Sequence, residues 1–81
     1  MLYKQILGKR LREKRMEHGL TQSKMSEYLD IQVRSYQRYE EGSNFPSLEI
    51  LIKLCDILGI SADYLLCRDG FLKSREASSN E

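Results

Sequence analysis

The sequence has little from which to assemble a metal or acid–base centre. Its two cysteines, Cys55 and Cys67, have no neighbouring Cys or His that would complete a zinc site. Reduced packing residues are therefore the expectation, with an intramolecular disulfide the remote alternative. The single histidine, His18, stands beside Gly19 at an expected helix end and has neither a second ligand nor an acid–base companion. No Ser–His, Cys–His or paired-carboxylate arrangement has catalytic spacing, and no glycine-rich phosphate loop occurs, so an enzyme is not expected and no cofactor or metal is implied. Apolar runs extend only a few residues, too short to cross a membrane. The N-terminal stretch MLYKQILGKR has no signal-peptide core or cleavage site, which makes the cytoplasm the expected location.

One proline, Pro46, and no strand-like alternation leave helix as the dominant element, with glycines at spacings suited to helix ends. Hydrophobic residues make up 41% and charged residues 31% of the 81 positions, a balance that allows one small domain to fold in water. That domain is expected over residues 1–68, followed by a polar and flexible tail over 69–81. Net charge is only +1, but six cations lie between Lys4 and Arg15 against the single anion Glu13. A nearly neutral molecule can thus still carry a basic face.

Periodicity predicts five helices. The first, over about 3–17, stacks Leu7, Leu11 and Arg15 on one side, which turns a charge toward the core. Thr21 caps the second, which ends near Leu29, and Leu20 can pack on Met25 as a hydrophobic staple. Asp30 takes the turn, and a third helix covers roughly 32–41 and stops at Gly42. On that helix Ser35, Tyr36 and Tyr39 share the packing side with Glu40 at its edge, while Val33, Arg34, Gln37 and Arg38 share the other. Ser47 caps a fourth helix, apolar nearly all round and expected to be central to the core, and Ser61 caps a fifth.

The succession Gly19-Leu20-Thr21-Gln22, Leu29, Ile31, Arg38-Tyr39-Glu40-x-Gly42, Pro46-Ser47-Leu48-Glu49, Leu58-Gly59-Ile60-Ser61 and Tyr64-Leu65-Leu66 resembles the helix-turn-helix domain of the phage repressor and Cro type, the XRE family. The likeness spans roughly residues 6–67. It implies an all-α, compact five-helix bundle of the lambda repressor-like kind, with the second helix across the DNA backbone and the third in the major groove. Carried over by position, Gln22 would bond a phosphate and could reach a base, and Gln32, Val33, Arg34, Gln37 and Arg38 would face DNA. Ser43 and Asn44 would approach further phosphates, and Arg15 with Glu40 would form a buried structural ion pair. The chain departs from the family pattern at Asp30, where Gly is usual, and at Gln32, where a Ser or Thr cap is usual. Its loop 42–45 lacks the common Lys or Arg.

The expected function is sequence-specific binding of a double-stranded DNA operator by a transcriptional regulator, a repressor acting as a homodimer. Its dimer surface is expected on helix five and the segment from Leu65 to Leu72, with Phe71 and Leu72 as apolar contacts. A lone pair of like charges four apart, Arg34 and Arg38, repels on an isolated helix but gains beside a polyanion. The alternative is an antitoxin or protein-interaction adaptor on the same fold, which a co-purifying protein partner or toxin would reveal.

Overall fold

The computed structural model describes residues 3–66, which form five helices: α1 Tyr3–Glu17, α2 Gln22–Leu29, α3 Val33–Glu41, α4 Leu48–Leu58 and α5 Ala62–Leu65. Cys67, the expected tail over 69–81 and the expected dimer contacts Phe71 and Leu72 lie outside the described residues. The fold is all-α, and among the described residues no helix is long and apolar enough to cross a membrane.

Local chemistry sets most of the helix ends. Side-chain oxygens of Thr21, Ser47 and Ser61 accept the backbone N–H groups of Lys24, Ile50 and Tyr64, so α2, α4 and α5 each begin on a satisfied cap. α3 begins at Gln32 with no side-chain cap. Between α2 and α3 the chain reverses through the left-handed Asp30 (φ 56°). The Asp30 and Ile31 N–H groups return to the carbonyls of Glu27 and Ser26, which closes the α2 end and holds the next helix at a fixed angle.

Helices as short as α2 and α3 are marginal in water alone, so packing must hold them. Tyr36 supplies the centre. It is fully buried with Leu7 and Leu11 of α1, Met25 and Leu29 of α2, Leu54 and Leu58 of α4, and Leu65 of α5. The half-buried Tyr39 meets its ring edge-on at 6.3 Å, an arrangement that favours the pair beyond simple burial.

Two expectations need correction. α4 buries only the stripe Leu51, Leu54 and Leu58, and its outer side leaves Leu48 73% and Ile52 55% exposed. Five short helices cannot cover a helix on every side, so an all-round apolar pattern did not make α4 the centre. Glycine is likewise not confined to helix ends, because Gly8 lies inside α1. A Cβ there would stand 2.5 Å from the carbonyl oxygens of both Tyr39 and Glu40, so the missing side chain permits α1 to lie directly on the end of α3.

Gly8→Ala therefore inverts the usual helix-propensity effect. In an open helix the change stabilises by about 1 kcal/mol, whereas here overpacking against backbone is expected to destabilise by about 1–3 kcal/mol. Thermal unfolding followed by circular dichroism checks the sign, and a raised midpoint would contradict the close approach.

Candidate nucleic-acid interface

The inner edge of α3 is organised around one carboxylate. Arg15, on the core side of α1, donates from Nε to Glu40 Oε2 at 2.6 Å and from a terminal nitrogen to Oε1 at 3.2 Å. Its remaining terminal nitrogen reaches the Leu20 carbonyl at 2.7 Å, which ties the α1–α2 connection to the same guanidinium. Tyr36 sits one helical turn before Glu40 and donates its hydroxyl to Oε2. Gln22, the first residue of α2, donates its Nε2 to Oε1 at 3.0 Å. The side chains of Arg15 and Glu40 are only 11% and 4% exposed, and no buried side-chain polar atom among the described residues lacks a partner.

Burial alone would push the Glu40 carboxyl up, but the hydrogen bonds from Arg15, Tyr36 and Gln22 outweigh it and hold the group below its ordinary value. Hydrogen bonding to Glu40 raises Arg15 against its own desolvation, and burial followed by the Glu40 bond keeps the Tyr36 hydroxyl protonated. Each group is thereby held in the protonation state the cluster requires.

The outer side of α3 carries the opposite character. Val33 is 37% exposed, and Gln32, Arg34 and Arg38 face solvent. Neither the Arg34 nor the Arg38 side chain has a hydrogen-bond or ion-pair partner among the described residues. Gln37 is half-buried at the border and donates its Nε2 to Gln22 Oε1 at 3.2 Å. Beside it opens a concavity of about 550 Å³, whose lining includes Thr21, Gln22, Ser23, Val33 and Gln37. Ser43 and Asn44 are exposed just past the end of α3.

The structure thus draws the singled-out residues into two groups. Arg15, Gln22, Gln37 and Glu40 form one hydrogen-bonded chain, while Gln32, Val33, Arg34, Arg38, Ser43 and Asn44 lie outside it as exposed residues. Periodicity places Tyr36 in the core without giving its hydroxyl a partner, yet four residues before an edge carboxylate is the spacing at which helical side chains meet. The basic run of α1 is partly engaged elsewhere. Arg10 stacks 4.6 Å above the Tyr64 ring of α5 and donates to its carbonyl, and Lys14 lies 5.5 Å from the same ring. Among the described residues no cluster of three His, Cys, Asp or Glu side chains could hold a metal. Cys55 packs half-buried against the core, its thiol pushed up first by burial and then by Asp56.

Known proteins resemble this chain in sequence and fold. A family model described as Helix-turn-helix matches residues 11–65. The chain is 41% identical over 61 residues to YonR, an HTH-type transcriptional regulator derived from the SPbeta prophage of Bacillus subtilis, covering 75% of this chain and 56% of that protein. It is 39% identical over 70 residues to the HTH-type transcriptional regulator ImmR of Bacillus subtilis, covering 86% and 55%. With the CTXphi transcriptional repressor RstR of Vibrio cholerae the identity is 38% over 62 residues, covering 76% and 55%. The chain thus spans about half the length of these curated relatives. Among solved structures, the clp gene regulator ClgR from Corynebacterium glutamicum superposes with a TM-score of 0.76 at 25% identity, over 98% of this chain and 84% of that one.

The depressed Glu40 carboxyl fixes the sign of one pH effect. A lowered folded-state value means that ionised Glu40 stabilises the fold. The contribution is complete above the unfolded-state value of about 4.3 and is lost as pH falls through the folded one. Glu40→Gln should cost about 3 kcal/mol at neutral pH, as expected for half of a buried pair. The gap between the thermal midpoints of the two proteins should then narrow as pH falls below about 4.3. A gap that stays constant from neutral pH through the acid range would show that Glu40 is not the titrating contributor.

Proposed function

The chain belongs to the helix-turn-helix family, and on that premise we propose that it binds double-stranded DNA sequence-specifically as a transcriptional regulator, in the manner of a repressor. One observation carries the reading. The outer side of α3 presents two arginines that have no partner among the described residues and an exposed valine beside a concavity, while its inner side is anchored to α1 and α2. An anchored helix with an unsatisfied cationic outer side suits the major groove, which is wide enough to admit it.

In this reading α2 crosses the backbone and α3 enters the groove. Arg34 offers a bidentate fork to guanine, and Val33 offers an apolar contact to a thymine methyl. Arg38, near the end of the helix, serves a base or a phosphate. Gln32 faces the groove from the start of α3, Gln37 faces a base and Gln22 stands nearest the backbone, with Ser43 and Asn44 toward the next phosphates. Occupying an operator needs no chemistry from the protein, so the function is non-enzymatic, without cofactor, and exercised in the cytoplasm where the DNA is. A homodimer on a two-fold site would set its half-sites about 34 Å apart or a multiple of that. Residues 1–68 would form the DNA-binding domain and residues 69–81 a flexible tail. The names of YonR, ImmR and RstR support regulation, and RstR supports repression in particular.

Arg34→Ala is expected to weaken binding to the selected operator by about 1–3 kcal/mol and to relax the preference at one base pair, with the thermal midpoint little changed. A gel-shift titration at stated salt, with single-base operator variants, reads both. Superimposable wild-type and variant curves would exclude Arg34 from the interface.

A further inference from the structure

The hydrogen-bond chain behind α3 does more than brace it. Glu40 is ionised and can only accept, so Gln22 must present its NH2 group to it, as the 3.0 Å contact from Nε2 to Oε1 has it. The Gln22 carbonyl oxygen is then turned to Gln37, which must answer with its own NH2 group, and Nε2 lies 3.2 Å from that oxygen. A glutamine amide is normally free to turn over. Here each orientation follows from the one before it, and the sequence of constraints begins at the carboxylate clamped by Arg15.

We propose that Glu40, acting through Gln22, sets the amide polarity of Gln37, and that Gln37 thereby reads adenine. With one N–H spent on Gln22, Gln37 retains its carbonyl oxygen and its second N–H at the border of the concavity that Val33 and Gln22 also line. One acceptor beside one donor matches the N6 amino group and N7 of adenine in the major groove. Guanine offers two acceptors there and is matched only in part. Gln22 and Glu40 are on this account positioning residues. The proposal rests on the DNA-binding reading above and adds to it the base read by one side chain and the cause of that choice.

The test is selection of bound sequences from random duplex DNA by the full chain and by Gln22→Met, Gln37→Met and the double variant, with a thermal melt of each. Wild type should enrich adenine at one half-site position. Gln37→Met should lose that preference by about tenfold, the weight of one good bidentate contact. Gln22→Met should lose most of it at the same position, and the double variant should be no worse there than Gln37→Met. A Gln22→Met protein that keeps the adenine preference, and loses affinity uniformly over all sequences, would reduce Gln22 to a phosphate contact and overturn the inference. So would a base other than adenine at the Gln37-dependent position. Failure of wild type to enrich any sequence would overturn the regulator reading and the inference with it. Should Gln22→Met not fold, amide NMR of wild type decides. Side-chain NH2 signals of Gln22 and Gln37 that shift together as acid protonates Glu40 support the relay, and signals indifferent to that titration overturn it.

Discussion

One carboxylate organises the part of this molecule that matters most. Glu40 accepts two hydrogen bonds from Arg15, one from Tyr36 and one from Gln22, so a single buried charge joins α1, α2 and α3. Desolvating an ion is costly, and the cost is offset only when the partner geometry is good and the remaining lone pairs are used. Both conditions hold here. The same contacts that satisfy the charge also set the angle between α2 and α3, because the Arg15 guanidinium grips the Leu20 carbonyl ahead of α2 while Glu40 lies near the end of α3. A purely apolar contact at this place would hold the helices together without specifying so closely how they are turned.

The remaining packing serves that junction. Tyr36 fills the space among α1, α2 and α3 and lends its hydroxyl to the charge, so one side chain contributes to both the core and the network. Gly8 lets α1 lie against the carbonyls at the end of α3, which brings Arg15 within reach of Glu40 two turns further along α1. With its inner side so occupied, α3 can leave Arg34 and Arg38 on the outside, unpaired among the described residues, without losing its place. Their mutual repulsion is small, a few tenths of a kcal/mol on an isolated helix. On the proposed reading, that repulsion becomes attraction beside the phosphate backbone. The cluster and the exposed arginines are therefore two aspects of one device, in which a stable inner contact allows an unsatisfied outer one.

The α4 helix has a different standing. Its buried stripe of Leu51, Leu54 and Leu58 closes the core from the far side, while Leu48 and Ile52 remain in solvent. Arg10 and Lys14, part of the most basic stretch of the chain, are spent on the Tyr64 ring of α5. Positive charge counted along the sequence thus overstates what any one surface can offer, since an amphipathic cation can pack its stem on an aromatic ring as readily as face a partner.

Much of the molecule follows from short-range rules and was legible in the chain itself. The five helices, their Ser and Thr caps, the left-handed turn at Asp30, the inward phase of Arg15 and, Gln37 apart, the two sides of α3 all depend on spacing and on residues a few positions apart. What lay beyond such reading depends on which helices meet. The empty Cβ position at Gly8 matters only because the end of α3 lies over it. The exposed side of α4 reflects how few elements are available to cover it. The amide chain from Glu40 through Gln22 to Gln37 requires two successive contacts between α2 and α3, of 3.0 and 3.2 Å. Sequence periodicity determines the direction in which a side chain leaves its helix, but hydrogen bonding needs a partner at a set distance, and that distance is decided only when the helices pack.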